Sequence, residues 1–116
     1  MYKYEIKEYI TETDKNPFAE WFKGLRDKKV RNKIIVRVRR ASLGNLGDWK
    51  RLENAQGVYE MREHSGAGYR IYFGFVGKTV ILLLAGSDKG DQGRVIAKAK
   101  QYWDDYQRRE QNHENK

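Results

Sequence analysis

Two arginines flank a glycine-rich turn in this chain: Arg62 in the run 58–64 and Arg70 in the run 69–76, with Ser65, Gly66, Ala67 and Gly68 between them. Both runs alternate about that turn, the pattern of an antiparallel hairpin. Side chains of a strand point alternately to its two faces, so Tyr69, Ile71, Phe73 and Phe75 share one face and Arg70, Tyr72, Gly74 and Val76 the other. In the first strand Tyr59 and Met61 oppose Glu60, Arg62 and His64. Arg62 and Arg70 are therefore expected on one face. A guanidinium is a planar fork that stays charged at any working pH and grips two phosphate oxygens. Two of them side by side suit the charge that builds on a phosphodiester as it is cut. Cleaving RNA without a metal needs, besides that charge, a base for the 2′-OH and an acid for the leaving 5′ oxygen. Lys89, beyond the next apolar run, can add charge or a proton, and Arg62, Arg70 and Lys89 are the candidate catalytic residues. Glu60, Glu63 and His64 can each serve as base, and residue type does not choose among them.

Other chemistries lack their residues. There is no GxxxxGK[ST], no GxSxG and no cysteine, and His64 and His113 are too far apart in sequence for a metal pair. Gly66-Ala67-Gly68 alone is a turn signal rather than a phosphate cradle. No metal and no nucleotide or other small-molecule cofactor is expected.

Charge is unevenly placed. The net charge is +8, and residues 28–51 hold nine basic residues against the single acid Asp48, so that segment carries the whole excess. A polyanion meets a dipolar molecule with one positive region, which is the electrostatic footprint of nucleic-acid binding. Lys33, Arg37, Arg40, Lys50 and Arg51 are the candidate RNA-binding residues. The absence of cysteine fits a reducing cytosol, the acidic start does not read as an export signal, and no run approaches the roughly 18–20 apolar residues of a membrane span. A cytoplasmic location is expected.

The elements that must hold the arginines follow from periodicity. Residues 2–10 alternate as a half-buried strand. Asn16-Pro17 is a helix N-cap followed by a first-turn proline, and Phe18, Trp21, Phe22 and Leu25 form the apolar stripe of a short helix. Asp27 caps a second helix with Val30, Ile34, Val38 and Ala41 inward and the basic residues outward; Gly24 bends the chain so that the two helices form a hairpin. Residues 48–53 are a short strand or loop. Residues 79–85, TVILLLA, are apolar on both faces and read as a central, doubly covered strand. A last helix presents Val95, Ala99, Tyr102 and Tyr106 on one stripe. The reading is a single domain, residues 1–106, with a fraying polar tail over 107–116. Its fold class is α+β: a small antiparallel sheet in β-α-α-β-β-β-α order packed on a helical hairpin, its other face largely open.

Gly57-Val58-Tyr59-Glu60-Met61-Arg62, then Gly66-Ala67-Gly68-Tyr69-Arg70-Ile71-Tyr72-Phe73, then Leu82-Leu83-Leu84-Ala85-Gly86-Ser87-Asp88-Lys89-Gly90-Asp91-Gln92, with Gly44-Asn45-Leu46-Gly47-Asp48-Trp49-Lys50 upstream, resemble the phage-derived, Gp49-like branch of the RelE/ParE toxin superfamily, which includes HigB-type proteins, over nearly the whole chain. The resemblance implies a RelE-like fold and the toxin half of a type II toxin–antitoxin module. It implies a metal-independent endoribonuclease that cuts mRNA in the ribosomal A site, with its basic surface on 16S ribosomal RNA and a cognate antitoxin protein as partner. In that comparison Arg70 falls where such toxins place the arginine that steadies the transition state, Arg62 on a basic residue of proton abstraction or phosphate contact, and Lys89 near their second functional arginine. Glu60 departs from the pattern, standing where RelE-like toxins carry another basic residue, and Ile96 stands near their last-helix tyrosine. These departures admit an alternative, a ParE-like toxin that inhibits DNA gyrase without nuclease activity.

Overall fold

A computed structural model describes residues 2–64 and 66–114. Its elements run β1 (Glu5–Glu8), α1 (Pro17–Lys23), α2 (Lys28–Ser42), β2 (Trp49–Arg51), β3 (Tyr59–Glu63), β4 (Tyr69–Val76), β5 (Val80–Ser87) and α3 (Gln92–Glu114). Both expected caps form: Asn16 Oδ1 accepts from Ala19 N at 3.0 Å and Asp27 Oδ1 from Lys29 N at 2.8 Å. The segment 48–53 resolves as a strand, β2. Ser65 of the expected turn lies outside the described residues.

The sheet is five-stranded in the order β1-β5-β4-β3-β2. Strands β2 to β5 form an antiparallel meander, whereas β1 lies parallel to β5 with Glu5 opposite Val80. The sheet is thus mixed, not antiparallel as expected. Alternation within β1 encodes which side chains point inward but not its direction, and a strand that returns after two intervening helices has no tight turn to make it antiparallel.

The alternation in β3 and β4 is realised. Met61, Ile71, Phe73, Ile81 and Leu83 form one core with Phe18, Val30, Ile34 and Ala41 of α1 and α2, and Tyr59, Tyr69 and Phe75 pack against it. The two helices share this face, but α1 meets chiefly β5, and α2 meets β1 and β3, rather than closing on each other as a hairpin.

The second face is not open. Tyr72, Leu82, Leu84 and Ala85 are buried beneath Val95, Ala99 and Trp103 of α3. A β-bulge adds Ala85 to this face. Phe73 pairs with Leu83 but Tyr72 with Ala85, leaving Leu84 as the extra residue. The bulge turns Gly86 toward α1, where the Trp21 ring occupies the place of a β-carbon, and returns Ser87 to the face of Tyr72. Gly74 gives the same room to Trp103.

Helix α3 runs to Glu114, so residues 107–114 are helical where a fraying tail is expected from their polarity. Ion pairs support this end: Arg108 lies 3.3 Å from Asp104 and Arg109 2.8 Å from Asp105. Arg109 also donates to the Ile10 carbonyl at 2.6 Å, and the Tyr9 hydroxyl donates to Asp105 at 2.5 Å, tying α3 to the end of β1. Burial, then the Asp105 carboxylate, push the Tyr9 hydroxyl up to about 12 from its ordinary 10.0. A folded-state value above the unfolded one means that this contribution is complete below pH 10 and lost as pH climbs toward 12. Tyr9→Phe should therefore cost on the order of 1–2 kcal/mol at neutral pH and flatten the alkaline fall in stability, measured by urea denaturation across pH.

Candidate functional site

Arg62 and Arg70 face each other directly across the β3–β4 ladder. Directly opposed residues of an antiparallel pair project from the same face, so the two arginines share one face as expected. Helix α3 covers β4 and β5 farther along, and no described residue of α3 lines the ground beside the two arginines. There a cleft of about 400 Å3 opens, lined by Arg62, Glu63, His64, Gly66, Ala67, Gly68, Tyr69, Arg70 and Lys89. The Lys89 N–H donates to the Ala67 carbonyl at 3.1 Å, fixing the loop after β5 against the hairpin turn. The three candidate catalytic residues therefore stand around one cleft.

Beneath them lies Glu60, 2% exposed. Its Oε1 accepts from Arg62 Nε at 3.1 Å and lies 3.7 Å from Lys50 Nζ, while its Oε2 is 3.6 Å from Arg70 Nε. The cross-strand rung that places Lys50 opposite Glu60 brings this third cation in. Three cations share one carboxylate, so the cluster keeps a formal charge of +2. Arg70 is nearly buried and its Nη1 donates to the Gly68 carbonyl at 3.0 Å, yet its Nε has no hydrogen-bond partner among the described residues. Tyr72 and Ser87 complete the floor, their hydroxyls 2.9 Å apart, and burial pushes the tyrosine hydroxyl up.

At the rim His64 Nε2 lies 2.5 Å from Asp48 Oδ2. That hydrogen bond is the main cause holding the Asp48 carboxyl below its ordinary range, with Arg62 and Arg37 adding attraction. Asp48 lies in the run 44–50 that carries the resemblance, but no residue pattern assigns it a role in the site. A further signal in the chain is that it is the single acid among the nine bases of residues 28–51.

The five expected binding residues separate. Lys33, Arg37 and Arg40 line a second hollow, of about 290 Å3, on one side of α2, and Glu63 borders both hollows, so this ridge runs on into the cleft. Arg37 is half-buried within it: its Nη2 donates to the Arg62 carbonyl at 2.6 Å and its guanidinium lies against Gly47, whose φ of +61° and lack of a side chain make room. Arg37 thus braces β3 behind the site. Lys50 joins the Glu60 cluster, whereas Arg51 pairs with Tyr59 and belongs to the opposite face. Removing Lys33 and Arg40 by alanine substitution should weaken binding of an RNA oligomer and lower its log–log salt slope by roughly 0.7 per lost contact, while Lys100→Ala on exposed α3 should leave the slope unchanged in salt titrations.

Among the described residues, fold and site define an α+β domain with a five-stranded mixed sheet, three helices and a cationic cleft. A protein of Haemophilus influenzae, described as uncharacterized, is 35% identical over 83 residues, 72% of this chain and 82% of its own length. The chain belongs to the family of that protein. No family model matches it, and no solved structure matches it significantly. Among the described residues no helix is long and apolar enough to cross a membrane.

Proposed function

We propose that this chain is a RelE-like, HigB-type toxin of a two-gene module, a metal-independent endoribonuclease that cuts mRNA on the ribosome and so stops translation in the cytoplasm. The observation that carries this reading is the Arg62–Arg70 rung opening on a cleft that also holds His64 and Lys89. An excess of guanidinium charge on a rigid sheet, bordered by proton-carrying side chains, is what stabilising a pentavalent phosphorane requires. The ridge of α2 that leads into the cleft suits the phosphate backbone of 16S ribosomal RNA or of the message. An exposed cationic face of this kind is covered by an acidic segment of a cognate antitoxin, through charge complementarity. The test is direct: add the purified chain to a translation reaction and map mRNA 5′ ends. New ends inside codons are expected; blocked translation without new ends rejects the nuclease.

One observation favours a second reading. Arg62 and Arg70 both engage the buried Glu60 carboxylate, the geometry of a structural ion-pair node. A ParE-like toxin, with the same fold but acting by binding DNA gyrase, makes that sufficient. Unimpaired supercoiling at excess chain removes it.

A further inference from the structure

We infer that His64, oriented by Asp48, is the base that takes the 2′-hydroxyl proton in this cleft, an assignment that rests on the nuclease reading. Of the three acid–base candidates, Glu60 has both oxygens beside cations, is 2% exposed and does not line the cleft. Glu63 pairs with Tyr69, which packs on the α1/α2 core, so its side chain leaves β3 on the face opposite Arg62, toward the α2 ridge. His64 is exposed, lines the cleft, and has one ring nitrogen fixed by Asp48 Oδ2 at 2.5 Å. That bond sets the ring's orientation and places the proton on Nε2, which leaves Nδ1 as the basic atom. Asp48 is held in turn through its backbone, its carbonyl accepting from Arg62 N at 2.9 Å, so the dyad is anchored to the same rung that carries the arginines.

The groups facing His64 are Asp48 before β2, Arg62 from β3, Arg70 from β4 and Lys89 from the loop after β5; Glu63 borders the cleft but directs its side chain to the α2 ridge. In the step they support, His64 Nδ1 accepts the 2′-OH proton as the 2′ oxygen bonds to phosphorus. The bond from phosphorus to the 5′ oxygen breaks, and that oxygen takes a proton from Lys89 Nζ. The products are a 2′,3′-cyclic phosphate and a 5′-hydroxyl, with no water or metal consumed.

The test uses the whole chain in a translation reaction, with wild type, His64→Gln, Asp48→Asn and Lys89→Ala followed by mapped ends and single-turnover rates. His64→Gln should slow cleavage by on the order of 10²–10⁴-fold and abolish the limb on which the rate rises with pH. Asp48→Asn, a change in a positioning residue, should keep that limb but displace it. A message whose scissile 5′ oxygen is replaced by sulfur, a leaving group that needs no proton, should restore the rate of Lys89→Ala but not of His64→Gln. Wild-type cleavage with an unslowed His64→Gln, or a His64→Gln rescued by the sulfur substrate, overturns the assignment and leaves the nuclease standing. No cleavage by wild type overturns both.

Discussion

Replacing Arg70 by alanine should cut mRNA cleavage on the order of 10²-fold or more, the usual cost of removing one preorganised donor to a developing oxyanion. The expectation rests on how little freedom this side chain has. Arg70 is 9% exposed, lies within the eight-residue strand β4, and is held by the Gly68 carbonyl on one side and Glu60 on the other. Little rotamer entropy is then lost when a phosphate arrives, and the guanidinium need not reorganise as charge builds. The loss should fall mainly on kcat, because a donor aimed at the transition state adds little to ground-state binding. Arg70→Lys should restore only a minor part: an ammonium keeps the charge but not the fork that holds Glu60 and phosphate at once. A variant that is folded by circular dichroism and cleaves within a few fold of wild type would show that the guanidinium serves the Glu60 node and nothing more.

Trp103→Ala should lower the free energy of unfolding by about 3–5 kcal/mol, the range for deleting a buried large aromatic. Trp103 is 7% exposed; its ring lies over Gly57 and Gly74 and stacks on Tyr106 at 5.9 Å. The two backbone positions directly beneath the ring, Gly57 and Gly74, carry no side chain that could take its place. The loss is a large part of the 5–15 kcal/mol that holds a domain of this size together. Gly74→Ala tests the same contact from the sheet side, since its methyl would enter the ring and must displace it. Urea denaturation of both variants checks this. A loss below about 1 kcal/mol for Trp103→Ala would mean that α3 is not part of the core.

What periodicity can encode was legible. Period-2 alternation in β3 and β4 assigned faces, and therefore the shared face of Arg62 and Arg70, because a strand gives its side chains no other choice. Helical spacing in α2 put Val30, Ile34 and Ala41 inward, and Asn16 and Asp27 capped their helices through contacts three residues or fewer along the chain.

Tertiary structure decided the rest, and for one reason: each missed feature joins residues that share no local pattern. The parallel partner of β1 lies some seventy-five residues away, as the Glu5–Val80 register shows. The bulge at Leu84 exists only relative to β4, and α3 packs on a face whose small residues, Gly74 among them, read in isolation as bare surface. Glu60 looks like an outward carboxylate in its strand. Only when β2 and β4 flank it does it become the buried anchor of Lys50, Arg62 and Arg70. Asp48 and His64, sixteen positions apart, meet because β2 and β3 are neighbours. The chain by itself determined which residues could do chemistry; the sheet determined which of them stand within reach of one another.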